Sequence, residues 1–152
     1  MAETDLVANA DALTEIFGYW PSFHDAEVVR LSLDRVGRAT GAFASPTMTA
    51  EIYAFEMTSE VGADGAYVLH HRSLVTLEFR GVLDLTVDDF NGQNALFGLR
   101  IEDVSERQLE RVRFEVHFDA AYGLAASFGC ADVEVLDVQP WPGARDPSRR
   151  AV

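Results

Sequence analysis

Apolar and polar residues alternate strictly between positions 111 and 118, and this period of two constrains the fold more than any other feature of the chain. The polar positions are Arg111, Arg113, Glu115 and His117, and the apolar positions are Val112, Phe114, Val116 and Phe118. Successive side chains of a β-strand point to opposite faces of a sheet, so the segment predicts a strand with one buried and one wet face. The rest of the chain must supply the neighbours that cover its apolar face.

Similar segments recur along the chain and are separated by turn-forming residues. Strands are predicted after position 28, where Val29, Leu31 and Leu33 alternate with polar residues, and at 48–58, 67–80, 82–88, 96–102 and 132–138. The segment Ala63-Asp64-Gly65 between two of them predicts a hairpin. In the last strand, Val133 and Val135 are out of phase with Leu136 and Val138, which predicts a bulge or a strand covered on both faces.

One stretch near the start of the chain has a strong helical period. Its apolar positions are Leu6, Ala10, Leu13 and Phe17. Gly18 follows where a helix commonly ends in a left-handed residue, so an amphipathic helix is predicted over 5–17. Near 104–110 a second short helix and a simple turn both remain open.

These elements together predict the fold class. Strands and helices do not alternate along the chain, which argues against a parallel sheet. We predict an α+β fold in which the N-terminal amphipathic helix packs on a curved, mostly antiparallel sheet of six to eight strands. The length of 152 residues predicts one domain, placed at 1–140. An irregular tail at 141–152 is expected to be pinned to the body by Trp141.

The composition excludes several classes of protein. All 12 basic residues are arginines, which excludes chemistry that needs a lysine, such as Schiff-base formation or a P-loop. No apolar run reaches the roughly 20 residues of a membrane span, so no contact with a membrane is expected. The single cysteine, Cys130, is expected to be a buried apolar residue and cannot form an intramolecular disulfide. A reducing cytoplasm is therefore the expected location.

The formal net charge of −13 bears on the partners of the protein. A surface of this sign repels the phosphates of nucleic acid and attracts basic proteins, although solubility alone also accounts for such a charge. If a basic partner binds, the expected contacts are acidic residues near strand ends and on strand faces: Glu78, Asp88, Asp89, Glu102, Asp103 and Glu115. A homodimer formed through an exposed sheet edge also stays open.

The segment Trp20-Pro21-Ser22-Phe23-His24-Asp25-Ala26-Glu27-Val28 combines aromatic and ionisable side chains where the predicted helix meets the first strand. A strand that begins at Asp25 places Asp25 and Glu27 on one face, where two carboxylates can contribute to a cation site. A structural role for this segment is favoured over a cation site and over contact with a partner. In it, Trp20 and Phe23 pack between helix and sheet, Ser22 or Asp25 accepts backbone N–H groups, and His24 bridges the two elements. No catalytic residue, metal ligand or cofactor is predicted.

This segment resembles the immunity protein 50 family of bacterial polymorphic toxin systems, together with Ile16-Phe17-Gly18-Tyr19 before it and Leu31-Ser32-Leu33-Asp34-Arg35 after it. The resemblance is close over residues 10–36 and looser through the later strands. It implies an α+β fold and a cytoplasmic protein that neutralises a cognate toxin. The motif positions are Trp20, Pro21, Phe23, His24, Asp25 and Glu27, and the family supplies no catalytic residues.

We expect this neutralisation to occur by stoichiometric binding of a basic toxin through the acidic surface. A housekeeping binding module, a homodimeric sheet protein and, less favoured, a metal-dependent enzyme built on His24, Asp25 and Glu27 are the alternatives.

Overall fold

A computed structural model describes residues 3–40 and 43–141 of the chain. The helices in this part are α1 (Glu3–Leu6) and α2 (Asp11–Phe17), with a single 3₁₀ turn at Ser105–Arg107. The strands are β1 (Glu27–Thr40), β2 (Phe43–Val61), β3 (Tyr67–Arg80), β4 (Leu83–Asp88), β5 (Ala95–Asp103), β6 (Phe114–Tyr122), β7 (Ala125–Cys130) and β8 (Asp132–Pro140). The described fold is therefore largely β, with a small helical part at its N-terminus.

The strands form one eight-stranded antiparallel sheet in the order β4-β7-β6-β5-β1-β2-β3-β8. The β1–β5 ladder consists of one pair, Glu27 with Ala95, so the sheet bends sharply there. Its two halves face each other, because the ring of Phe79 on β3 lies 5.9 Å from Phe118 on β6 and 5.0 Å from Phe128 on β7. The prediction of a mostly antiparallel sheet of six to eight strands is confirmed.

The alternation at 112–118 is confirmed by the burial of its apolar side chains. Phe114, Val116 and Phe118 are almost fully buried between the two halves, whereas Glu115 and His117 on the other face are partly exposed. Val112 precedes the strand and is half-buried, and its methyl groups lie against Gly129 of β7.

The predicted helix over 5–17 is wrong in its middle, where the chain leaves helical geometry between α1 and α2. Ala8 pairs with β8 in this gap: its N–H donates to Val133 O at 2.9 Å, and its carbonyl accepts from the N–H of Val135. Asn9 has a positive φ of 58° and donates from its side chain to Val135 O. Tertiary pairing thus replaces a helical turn that the apolar spacing alone favours. Gly18 ends α2 as predicted, with φ 85°.

Most strand predictions are confirmed, with two differences. Strand β7 was not predicted, because its small residues and Gly129 give a weak apolar alternation. In β1 the register shifts around Val29, and Leu33, predicted to alternate onto the buried face, is 62% exposed. The pairing of β1 with β5 is limited to Glu27. The rest of β1 therefore has a paired neighbouring strand, β2, on one side only.

The predicted turns and the C-terminal anchor are also present. The hairpin at 63–65 joins β2 to β3, and the register shift in β8 skips Leu136, which is the predicted bulge. The 104–110 segment forms the short 3₁₀ turn rather than a longer helix. The ring of Trp141 packs 4.7 Å from that of Tyr53. The rest of the predicted tail, 142–152, lies outside the described residues.

Candidate functional site

The segment 20–28 follows α2 and lies beside β5, and it divides into buried and exposed side chains. Phe23 is 3% exposed and meets the ring of Trp20 edge-on at 5.9 Å between centroids. Phe23 and Asp25 both have positive φ, 61° and 64°, which is uncommon for residues other than glycine and here belongs to a tight turn. The turn places Phe23 in the core while the side chains of His24 and Asp25 remain about half-exposed.

Hydrogen bonds hold this turn against β5. The Oγ of Ser22 accepts the backbone N–H of His24 at 3.2 Å. The imidazole Nδ1–H of His24 donates to the carbonyl of Phe97 at 2.9 Å, since a carbonyl oxygen can only accept. The N–H of Asp25 donates to Leu96 O at 2.8 Å. His24 therefore links the segment to β5, and the imidazole is oriented by a backbone acceptor.

Glu27 points away from the exposed pair and into the protein. It is 2% exposed, and its Oε1 accepts the backbone N–H of Asn94. The side chain of Asn94 in turn bonds both the N–H and the carbonyl of Asn91 and accepts the N–H of Leu124 at 3.2 Å. A shared face for Asp25 and Glu27 requires a strand that begins at Asp25, and this condition is not met, because β1 begins at Glu27 and Asp25 lies in the preceding turn.

An open groove runs along the exposed side of this segment; we call it the motif groove. Its volume is about 560 Å³, and its lining includes Trp20, Pro21, His24, Phe97, Arg100 and Asp119. The ring of Phe97 is 65% exposed and meets the His24 imidazole edge-on at 5.5 Å.

The polar side of the motif groove is an ion-pair network. Arg100 binds Asp119 through two nitrogens, at 2.6 and 3.2 Å, and Glu102 at 3.0 Å. The hydrogen bonds from Arg100 hold the pKa of the Asp119 carboxyl below its usual range, and Asp119 raises the pKa of the guanidinium. Glu3 of α1 also lines the groove. Sequence patterns did not identify this groove.

The predicted acidic contact residues fall into separate places. Glu102 and Glu115 lie directly opposite each other on β5 and β6, with Asp103 beside them. Asp88 and Asp89 are exposed at the far end of β4.

Glu78 of β3 is only 7% exposed and belongs to a different ion-pair group. Its Oε1 accepts from Arg80 at 2.9 Å, and Arg80 also binds Glu134 at 2.7 Å. This burial leaves Glu78 little surface for a partner.

Among the residues that the structure describes, one group of three side chains could hold a metal ion. The potential ligand atoms of Glu102, Glu115 and His117 lie within 4.8 Å of one another. Arg100 pairs with Glu102 at 3.0 Å and Arg107 pairs with Glu115 at 3.1 Å. Both carboxylates are therefore already paired with a guanidinium cation. Within the described residues, His24, Asp25 and Glu27 do not form such a group: the half-exposed His24 and Asp25 side chains lie 3.6 Å apart, whereas the Glu27 carboxylate is turned into the protein.

The fold and this site define a small, largely β protein of acidic composition, whose distinctive segment connects a short N-terminal helix to the first strand and is hydrogen-bonded to β5. The chain matches the family model of Immunity protein 50 over residues 9–141, and it belongs to that family. No curated protein and no solved structure matches the chain. Within the described ranges, no helix is both long enough and apolar enough to cross a bilayer.

Proposed function

We propose that this protein is an immunity protein that neutralises a cognate bacterial toxin in the cytoplasm by binding it stoichiometrically, without catalysis. The match to the immunity family over residues 9–141 carries this proposal. An immunity protein has to act in the cell that makes the toxin, and a tight complex is sufficient to block it.

The charge of the chain supports a basic toxin as the partner. With a net charge of −13, the protein attracts cationic proteins at long range and repels nucleic acid. Such steering raises association rates above the roughly 10⁵–10⁶ M⁻¹ s⁻¹ of neutral pairs. Asp88, Asp89, Glu102, Asp103 and Glu115 are the acidic side chains on the described surface that we propose to contribute to this long-range attraction.

The arrangement of the ionisable motif residues supports binding over catalysis. Glu27 is buried and bonded to the backbone of Asn94, and the His24 imidazole is tied to a backbone carbonyl. A general base must reach the proton it removes from a substrate, and the buried Glu27 carboxylate cannot do so.

A homodimer through the β4 edge is less favoured by the geometry. The register shift between Leu83 and Thr86 marks a bulge, and Asp84 within it has a positive φ of 55°. A short, bulged and acidic edge strand is typical of edges that resist pairing with another strand.

Growth assays test the proposal. The product of the neighbouring gene, as the candidate toxin, is expressed alone and together with this protein; we expect growth to stop in the first case and to resume in the second. The purified pair should form a complex of fixed stoichiometry in gel filtration with light scattering. Continued growth arrest with both proteins present and folded would falsify the proposal.

A further inference from the structure

The motif segment serves two purposes, because its side chains divide between core and surface. Phe23 and Glu27 are buried, and they account for the structural role of the segment. Trp20 is half-buried, and His24 lies exposed along the motif groove. Bracing the helix on the sheet does not explain why an imidazole and an aromatic ring are held side by side at the surface.

Phe97 occupies an unusual position in β5. The register shifts between Leu96, which pairs with Ala120, and Gly98, which pairs with Asp119, so Phe97 is the extra residue of a β-bulge. Bulges redirect a side chain relative to the sheet, and here the phenyl ring is 65% exposed. The carbonyl of Phe97 accepts the His24 hydrogen bond, which fixes the backbone that carries the ring.

A fixed, exposed aromatic ring is a suitable anchor for a protein partner. Hot spots in interfaces are enriched in aromatic residues, and an anchor that is already ordered loses little conformational entropy on binding. The groove beside Phe97, of about 560 Å³, offers space for one or two side chains of a partner.

The charges around the motif groove select the partner. Arg100 is the cation that lines it, and this guanidinium is bonded to both Asp119 and Glu102. Glu3 also lines the groove and Asp25 lies 3.6 Å from the His24 ring, so four carboxylates in or beside the groove face a single guanidinium charge. This excess of negative charge opposes nucleic acid and a second copy of this acidic chain.

We infer that the motif groove is the surface that contacts the toxin, and that it takes a basic segment with an arginine or lysine next to an apolar side chain. The apolar side chain packs on Phe97 and Trp20. The cation lies over the aromatic ring and is paired by the carboxylates of Asp25 and Glu3. This inference rests on the proposed function, and it adds the site and the chemistry of the partner.

Two matched pairs of variants test the site. Phe97→Ala removes the anchor, and Phe90→Ala removes a phenyl ring that is 49% exposed outside the groove. Asp25→Asn removes a charge at a residue with φ 64°, and Asp84→Asn does the same at φ 55° on the β4 edge. Asparagine tolerates this left-handed conformation, so both aspartate variants are expected to fold.

Affinity for the purified toxin from the growth assay is measured by calorimetry, and the association and dissociation rates by stopped-flow mixing, after thermal unfolding has established that each variant is folded. We expect Phe97→Ala to weaken binding at least about tenfold, mainly through faster dissociation. Asp25→Asn should slow association about twofold to threefold. Phe90→Ala and Asp84→Asn should remain within about twofold of the wild type.

The outcomes separate the two proposals. If the wild type binds the toxin and Phe97→Ala binds equally well, the groove is not the contact surface and the proposed function stands. If the wild type neither binds nor rescues, both proposals fall. If sedimentation shows a wild-type dimer that Phe97→Ala abolishes, the groove belongs to a second copy of the chain, and the inference is overturned.

Discussion

Phe23 shows how a single residue can hold the helix, the turn and the sheet together. Its ring is almost fully buried although its backbone has a positive φ, so packing compensates a conformation that costs an ordinary residue about 1–2 kcal/mol. We expect Phe23→Ala to lower the free energy of unfolding by about 3–5 kcal/mol, as measured by urea denaturation. Phe97→Ala is the control and should change it by less than about 1 kcal/mol. Equal losses in the two variants would contradict this assignment.

Burial suppresses the reactivity of the Cys130 thiol. The side chain is fully buried in the core, and desolvation, with a smaller contribution from Asp132, raises the pKa of the thiol to about 12. The thiolate is the reactive form, so the folded protein should react very slowly with a thiol reagent at pH 8, whereas the protein in guanidinium should react at once. Rapid labelling of the native protein would show that Cys130 is exposed by local opening.

Asp119 contributes stability that depends on pH. Its pKa is lowered in the folded protein by the bonds from Arg100, so this stabilisation is present above the unfolded value of about 3.9 and is lost as the pH falls toward the folded value. Between about pH 5 and pH 3, Asp119→Asn should therefore lose less stability than the wild type. Asp88→Asn, at an exposed position, is the control and should keep the wild-type profile.

At the scale of elements, the β6–β7 turn depends on one glycine. Gly123 has φ 84°, and a Cβ there would clash with Gln93 O and lie 2.9 Å from Asn94 Oδ1. We expect Gly123→Ala to cost roughly 3 kcal/mol or more, because strain and a steric clash with backbone add together.

Gly65 in the β2–β3 turn is the matched control for this substitution. It has a similar φ of 81°, with nothing within 4 Å of the added Cβ. Gly65→Ala should therefore cost only about 1–2 kcal/mol. Comparable losses in urea unfolding would show that the crowding around Gly123 relaxes easily.

The elements also show what a sequence can and cannot predict. The period of two identified β6, β3 and β8, including the bulge at Leu136, because one face of each strand is buried. The break between α1 and α2 depends on Ala8 pairing with β8, more than a hundred residues away, and no local pattern reports such a contact.

The motif groove was missed for a similar reason. The segment 20–28 was recognised, but the bulge that exposes Phe97 depends on the pairing of β5 with β6. One signal was available: the buried Leu96 and Leu99 are three residues apart, which breaks the period of two. The domain bounds 1–140 and 141–152 stay a prediction.

At the scale of the whole molecule, the sharp bend at β1–β5 produces both the core and the groove. Two half-sheets joined at Glu27 and Ala95 bury their inner faces against each other, and the motif segment lies at this join. The residues that stabilise the bend, Phe23 and Glu27, are thus next to the residues we propose for toxin contact, His24 and Phe97. Substitutions in the motif must be examined for folding before binding is interpreted.

Because the protein carries an excess of negative charge, added salt should raise its stability and slow its association with a basic partner. Folding brings like charges together, and salt screens this repulsion over a Debye length of about 10 Å at 0.1 M. The exposed ion pairs that salt also weakens are worth at most about 1 kcal/mol each, and 25 carboxylates outnumber 12 arginines. Between about 0.02 and 0.3 M sodium chloride, we therefore expect the free energy of unfolding to rise, as measured by urea denaturation.

Over the same range of salt, the rate of association with a basic toxin should fall at least about tenfold in stopped-flow measurements, because screening removes the long-range attraction. The dissociation rate serves as the control, since contacts within the formed complex are screened much less. An association rate that does not change with salt would mean that the acidic surface maintains solubility and does not guide the partner to the groove.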